Sequence, residues 1–106
     1  TNSEDLYKWY QGLNNCSILS KVSLDLMYTQ GKTIYGKKVP YGFGFRIDTK
    51  DIKTIYHHGK WNGFSTALTQ YPDDDLVVII LEHTSYNALP SLNKKIKNIV
   101  FENSDI

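Results

Sequence analysis

The segment 76–81 constrains the fold more strongly than any other part of this chain. Its residues, LVVIIL, are all aliphatic, whereas a strand with one face in water alternates apolar and polar side chains. Both faces of this segment must therefore be covered, as in a central strand between two layers. The run is the longest apolar stretch and is far too short to cross a bilayer, so we expect no membrane insertion.

Three further segments have strand patterns. In residues 41–48 bulky side chains alternate with Gly42, Gly44, Arg46 and Asp48, and residues 52–58 and 64–71 follow. We expect a hairpin turn at 48–51, a tight polar break at 59–63 and a turn at 72–75. The bare face at Gly42 and Gly44 indicates a close approach, either of substrate in a cleft or of a packed strand or helix.

Helical periodicity predicts two helices before the sheet and one after it. We expect Ser3 to cap the first, which ends near residues 12–15, and Ser20 to cap the second, which Gly31 stops. Pro90 and Ser91 open the last helix, with apolar residues 92, 96, 99 and 100 on one side and lysines on the other. The prediction is an α+β fold in a single domain, 1–106: an antiparallel sheet of about four strands, two N-terminal helices, and a C-terminal helix on one sheet face.

Composition excludes several function classes. The net charge of +1 gives no electrostatic reason to expect nucleic acid as a partner. The one cysteine, Cys16, cannot form an internal disulfide and is expected to be buried as a small apolar group. Among the histidines, adjacent His57 and His58 splay apart on a strand, and no helical pair completes a metal site. We expect neither a metal nor a cofactor.

The stretch 56–64 is the strongest candidate for chemistry. It places His57 and His58 where a strand edge meets a turn, a common location for functional residues. Because neighbouring strand residues point to opposite faces, His57 shares a face with Ile55 and His58 with Tyr56. Only one of the two rings is therefore expected to face a cleft.

The order of these motifs resembles the C-terminal part of the serine β-lactamase-like hydrolases, which include class C β-lactamases, D-alanyl-D-alanine carboxypeptidases among the penicillin-binding proteins, and related esterases. In that family the third signature, Lys-Thr-Gly or His-x-Gly, lies on a strand that walls the active site. Here it corresponds to His57-His58-Gly59. The similarity extends from segment 1–9 through the aromatic-glycine segment 41–45 to the hairpin 71–82, and so covers nearly the whole chain.

The resemblance implies specific roles. His57 would be a hydrogen-bonding or cationic group near the nucleophile, where it helps to hold the substrate's carboxylate or ester. Gly59 would let the substrate backbone lie close to the strand, and the backbone N–H of Lys60 would be the second oxyanion donor. His58 would be structural. The resemblance also implies a periplasmic, envelope or secreted location.

The nucleophile itself is missing. In the family, S-x-x-K and Y-x-N motifs precede the third signature, and neither occurs before His57. Ser91 and Lys94 have the S-x-x-K spacing but follow that signature, on the last helix. Ser65 lies in a near match to a nucleophile elbow, which requires a strand-to-helix turn that is not predicted here. The chain alone is therefore expected to be inactive, and the intact protein to hydrolyse a β-lactam, a D-alanyl peptide or an ester.

An alternative function stays open. The chain could be a non-catalytic binding or structural module that self-associates, because a fragment of this sheet would expose a strand edge and apolar faces. In that case we expect the chain to form a homo-oligomer through an exposed sheet edge.

Overall fold

Three α-helices and one four-stranded antiparallel sheet form the fold in a computed structural model that describes residues 1–84 and 88–103. The predicted α+β class is confirmed. In chain order the elements are α1 (Ser3–Asn14), α2 (Lys21–Met27), β1 (Arg46–Asp48), β2 (Thr54–Trp61), β3 (Phe64–Tyr71), β4 (Leu76–Glu82) and α3 (Leu89–Asn103), with a short 3-10 turn, Pro72–Asp74, between β3 and β4.

The strands pair in chain order, β1-β2-β3-β4, and every neighbouring pair is antiparallel. A two-residue turn joins β2 to β3, with Asn62 at φ 43° and Gly63 at φ 84°. Positive φ at both positions is typical of the type I′ hairpin turn, whose twist matches that of the strands. The predicted break at 59–63 is therefore wrong: β2 continues through Gly59 and Lys60 to Trp61.

The segment before β1 turns where a strand was expected. Only Arg46–Asp48 is a strand, because the Gly42 N–H donates to the Phe45 carbonyl at 2.8 Å and Gly44 has φ +80°. The close approach predicted at Gly42 does exist. A Cβ there would overlap the Met27 carbonyl oxygen at the end of α2, so helix packing explains this glycine.

The main core lies between α1, α2 and one face of the sheet. Its buried members are Leu13 of α1, Leu24 of α2, Phe45, Ile55 of β2 and Leu68 of β3. The register places Ile55 and Leu68 on the same face, since directly paired residues share a face and alternate residues return to it.

The N-caps of the first two helices follow from their polar residues. Ser20 caps α2 as predicted, and its hydroxyl accepts the Ser23 N–H at 3.2 Å. The predicted cap at Ser3 is wrong by one residue, because the Asn2 Oδ1 accepts the Asp5 N–H at 2.8 Å.

Helix α3 covers the opposite face of the sheet. The Asn93 amide donates to the Thr69 hydroxyl at 3.2 Å, and the rings of Tyr71 and Phe101 meet edge to face at 5.1 Å. The predicted apolar face of this helix is partly wrong, because Leu92 and Ile99 are exposed. The helix turns a neighbouring stripe, including Asn93, towards the sheet.

Strand β4 has both faces partly covered, by α1 and α3, as its sequence predicts. Within the described residues it is an edge strand of the sheet, paired only with β3. Cys16 also departs from expectation. It is exposed, with φ 63°, because it lies in the turn between α1 and α2.

None of the helices in the described ranges combines the length and apolar character needed to cross a bilayer.

Candidate functional site

An apolar cleft of about 440 Å³ opens on the α1 and α2 face of the sheet, beside His57. Its walls come from both helices, from the glycine turn before β1 and from two strands. Apolar side chains dominate them, so the cleft suits an uncharged organic group. The lining side chains include Leu6, Trp9, Met27, Phe43, Phe45, His57, Thr66 and Leu68.

His57 lies in the interior of β2, paired with Leu68 of β3, and is exposed. It shares the face of Ile55, as the alternation predicts, but it does not lie beside a turn. Its ring meets the Phe45 ring edge to face, with centroids 6.4 Å apart. The aromatic contact orients the imidazole at the cleft wall while leaving it open to solvent.

The outer edge of β2 is open beyond His57. Strand β1 pairs with β2 only from Thr54 to Tyr56, so in the described sheet His57 to Trp61 have a strand partner on one side only. Since the backbone groups of an antiparallel strand point alternately to its two sides, this stretch presents N–H and C=O groups that no strand satisfies. An extended ligand can pair with such an edge.

Gly59 follows His57 on the same face and is paired with Thr66. A Cβ at Gly59 would stand 2.8 Å from the Thr66 Oγ1, so glycine leaves that hydroxyl uncovered at the cleft. Lys60 is exposed and is paired with the buried Ser65. The oxyanion-donor role of the Lys60 N–H stays a prediction.

His58 faces the other side of the sheet. It borders a groove of about 310 Å³ between the strands and α3. Partial burial lowers the pKa of His58 below its ordinary value, and the positive charges of His57 and Arg46 lower it further. The two imidazoles therefore point to opposite faces of the sheet, as the strand alternation predicts.

A third groove, of about 490 Å³, follows the open edge of β2 where β1 ends. Both histidines border it, together with Tyr41, Tyr56 and Arg46. Arg46 is the only arginine of the sequence, and its guanidinium lies 5.6 Å from the centre of the Tyr41 ring. No carboxylate lines this groove, and within residues 1–84 and 88–103 no ion pair involves Arg46. The groove therefore suits an anionic group.

Sequence reasoning missed Arg46, Trp9 and Phe43. Their positions depend on how α1 and the turn before β1 pack against the sheet, which no local motif encodes. The one available signal for Arg46 was that it is the sole arginine, placed on the strand that precedes the histidine strand.

The alternative nucleophiles are not at the cleft. Ser65 is buried and paired with Lys60, on the face opposite His57, and Ser91 is exposed in the first turn of α3. Thr66 carries the only hydroxyl among the cleft's lining residues, which include no serine, cysteine or lysine.

Potential metal ligands are also dispersed. Within the described ranges, no three His, Cys, Asp or Glu side chains come together in a way that could hold a metal ion. The third histidine, His83, lies at the end of β4 and stacks on Phe64, with ring centroids 4.2 Å apart.

One curated protein is similar to nearly the whole chain. Penicillin-binding protein 4* of Bacillus subtilis (strain 168) is 28% identical over an alignment of 105 residues, which covers 93% of this chain and 23% of that protein. The chain thus spans about a quarter of the length of the curated relative that it matches. No protein-family model matches the chain, and no solved structure matches it. The similarity supports a distant relationship to penicillin-binding proteins.

Proposed function

We propose that this chain forms the active-site strand and one wall of a penicillin-binding-protein-like serine hydrolase. The reaction would be hydrolysis of an amide or ester through an acyl-serine, on a nucleophile that lies outside these 106 residues. The observation that carries the proposal is the position of His57. It is exposed, on the open-edged part of β2, at the wall of an apolar cleft, and it begins the His57-His58-Gly59 motif.

The cleft and the strand edge suit different parts of an acyl substrate. The apolar walls from Trp9, Phe43 and Phe45 would bind the acyl side chain. The unpaired backbone beyond His57 would hold an extended amide, with the Lys60 N–H as an oxyanion donor. Gly59 would leave room for the substrate against the strand.

Arg46 would recognise a negatively charged group of the substrate. It shares a groove with His57 and has no carboxylate partner in the described part of the chain. A guanidinium binds a carboxylate through two parallel hydrogen bonds. We therefore infer that a substrate with a carboxylate, such as a β-lactam or a D-alanyl peptide, would direct this group towards Arg46 and His57.

The chain by itself would be inactive. An acyl-serine route needs a nucleophile and a base within hydrogen-bonding reach, and no serine or lysine lines the cleft. Oxyanion donors without a nucleophile give only weak residual catalysis.

The alternative is a non-catalytic module that self-associates. The exposed edge of β4, together with Trp61 and Phe64, which are 76% and 51% exposed, favours that function. A covalent labelling experiment separates the two.

The experiment uses a fluorescent penicillin and a fluorophosphonate on two proteins: the 106-residue chain, and the same chain joined to the polypeptide encoded upstream of it. We expect an adduct only on the longer protein. A covalent adduct on the 106-residue chain would contradict the assignment, and absence of label from the longer protein would favour the non-catalytic module.

Matched variants of the longer protein test the role of His57. We expect His57→Ala to slow acylation by about 100-fold or more and His57→Lys to retain much of the rate, since the family signature accepts either residue. His58→Ala is the comparison variant: its ring faces the opposite side of the sheet from the cleft but borders the Arg46 groove, so we expect a smaller loss than from His57→Ala. Equal losses from His57→Ala and His58→Ala would refute the role of the cleft.

A further inference from the structure

A β-hairpin of residues 31–40 joins α2 to the segment before β1. Two backbone hydrogen bonds fix its base, since the Gly31 N–H donates to the Tyr41 carbonyl and the Val39 N–H donates to the Gly31 carbonyl, both at 2.9 Å. The Val39 side chain packs over Gly31, where an added Cβ would stand only 3.2 Å from it. Every residue from 32 to 38 is exposed. The hairpin therefore stands away from the rest of the domain while its base is held.

The turn of this hairpin carries two large apolar side chains. The Gly36 N–H donates to the Thr33 carbonyl at 2.9 Å, and Gly36 has φ 81°, as in a type I turn that ends on a left-handed glycine. Ile34 and Tyr35 occupy the two central positions, although turns favour Gly, Pro, Asn, Asp and Ser. They are 92% and 91% exposed, more than any other large apolar side chain of the described residues. Packing within the chain does not account for them.

Three lysines surround this apolar tip. Lys32 and Lys38 lie directly opposite each other on the two arms of the hairpin, and Lys37 lies beside Lys38. Like charges directly opposite each other on paired strands are destabilising. Within residues 1–84 and 88–103 none of the three forms an ion pair. An anion beside the hairpin would relieve the repulsion.

The hairpin belongs to a longer cationic segment. Residues 26–47 contain four of the chain's twelve Lys and Arg side chains and none of its eleven Asp and Glu side chains. Asp25, the nearest carboxylate before the segment, is already paired with Lys21 at 2.7 Å. The net charge of +1 therefore combines a cationic segment with an acidic remainder, and such asymmetry is typical of surfaces that meet anionic partners.

The combination of an apolar tip with surrounding lysines favours a membrane surface over a protein surface. A protein that buried the tip would also desolvate the neighbouring ammonium groups, which is costly unless each one meets a carboxylate. A bilayer interface accommodates both kinds of side chain at different depths. Tyrosine and aliphatic side chains lie at the boundary between headgroups and acyl chains, and long lysine side chains extend from there to the lipid phosphates.

We propose that the 31–40 hairpin docks this chain on a membrane surface that contains anionic lipid. Ile34 and Tyr35 enter the boundary between headgroups and acyl chains, and Lys32, Lys37 and Lys38 bind the lipid phosphates. The contact is peripheral, because two apolar side chains at a turn reach only the interface. The inference goes beyond the proposed function and does not rest on it.

The expected affinity is modest. Each lysine near an anionic surface strengthens binding by about fivefold, and burial of each apolar side chain of the tip strengthens it by about tenfold. Such an anchor is weak and reversible, as a single acyl chain is. We therefore expect half-maximal binding at millimolar lipid.

Sedimentation with sucrose-loaded vesicles measures the binding of the 106-residue chain. One set of vesicles is pure phosphatidylcholine, and the other contains one phosphatidylglycerol for every two phosphatidylcholines. We expect binding to the second set to be about 100-fold tighter and to be lost at molar salt, since salt screens exposed charges. Absence of binding to the anionic vesicles, or equal binding to both sets, would overturn the proposal.

Variants of the hairpin test which groups bind. Ile34→Ser and Tyr35→Ser are each expected to weaken binding to anionic vesicles by about tenfold, and replacement of all three lysines by glutamine is expected to weaken it by about 100-fold. Tyr35→Trp is expected to preserve binding, because tryptophan favours the same depth. With vesicles, its fluorescence should shift to shorter wavelength more than that of the unchanged chain. All these side chains are exposed, and circular dichroism checks that each variant folds.

Matched controls lie elsewhere on the surface. Lys50, Lys53 and Lys95 are exposed, and their joint replacement by glutamine changes the net charge equally without altering the hairpin. Trp61→Ser removes another exposed apolar side chain. We expect both controls to bind as the unchanged chain does. Equal losses from the control and hairpin variants would show that the chain meets vesicles through another surface, and would refute the role of the hairpin.

Discussion

Replacing Gly42 with alanine tests how the glycine turn before β1 is held against α2. A Cβ at this position would overlap the Met27 carbonyl oxygen and stand 3.1 Å from the Thr29 carbonyl oxygen. Both atoms belong to the backbone, so no side-chain rotation can make room. The turn must move away from the helix.

The movement disturbs two hydrogen bonds. The Phe43 N–H donates to the Met27 carbonyl at 3.0 Å, and the Gly42 N–H donates to the Phe45 carbonyl at 2.8 Å. Losing both costs about 2 kcal/mol, and forcing an extra methyl into a packed site costs about 1 to 3 kcal/mol. Alanine restricts the unfolded chain, which returns about 0.4 to 1 kcal/mol. We expect the free energy of unfolding to fall by about 2 to 4 kcal/mol.

Urea denaturation measures this change, and Gly44→Ala is the control. Gly44 has φ +80° and no neighbour within 4 Å of its added Cβ, so alanine there incurs only the strain of the left-handed region, about 1 to 2 kcal/mol. Gly44→Asn is expected to cost less than Gly44→Ala. If Gly42→Ala destabilised the protein no more than Gly44→Ala, the steric argument would be refuted.

Three further predictions concern single residues. We expect the NMR titration of His58 to have its midpoint below the ordinary pKa of 6.5. The unfolded state then binds the proton more readily than the folded state. The contribution of His58 to the free energy of unfolding is therefore lost as pH falls from about 6.5 through the folded-state pKa. Asn2→Ala is expected to lower the free energy of unfolding by about 1 kcal/mol through loss of the α1 cap, whereas Ser3→Ala leaves it nearly unchanged; chemical denaturation compares the two. Cys16 is expected to react with a maleimide in the folded protein, and a thiol that reacts only after unfolding would contradict the exposure of Cys16. Cys16→Asn is expected to raise the free energy of unfolding by up to about 1 kcal/mol, because asparagine adopts positive φ more readily.

Periodicity predicted the existence of the elements better than their ends. The aliphatic run of β4 and the helical spacing in α1 and α2 each produced the expected structure, because burial of apolar side chains acts along the whole element. The errors in the strand ends fall at turns. Asn62-Gly63 needs only two residues to reverse the chain, so β2 runs to Trp61, and the positive φ of Gly44 ends an alternating pattern that otherwise favours a strand.

The candidate site was only partly accessible from the sequence. Strand alternation correctly separated His57 from His58, since that geometry is local. The cleft walls at Trp9 and Phe43, the nearby Arg46 and the edge position of β4 depend on contacts between elements distant in the chain. The spacing of residues in the sequence does not indicate which edge of a strand has no strand partner.

The sequential order of the four strands has a kinetic consequence. Every strand pairs with its nearest neighbour in the chain, through connections as short as the Asn62-Gly63 turn. Such a meander has low contact order, so little loop-closure entropy opposes its assembly. We expect the β2–β3 hairpin to nucleate the sheet, with α1, the element most remote from β4, docking onto it at a later stage.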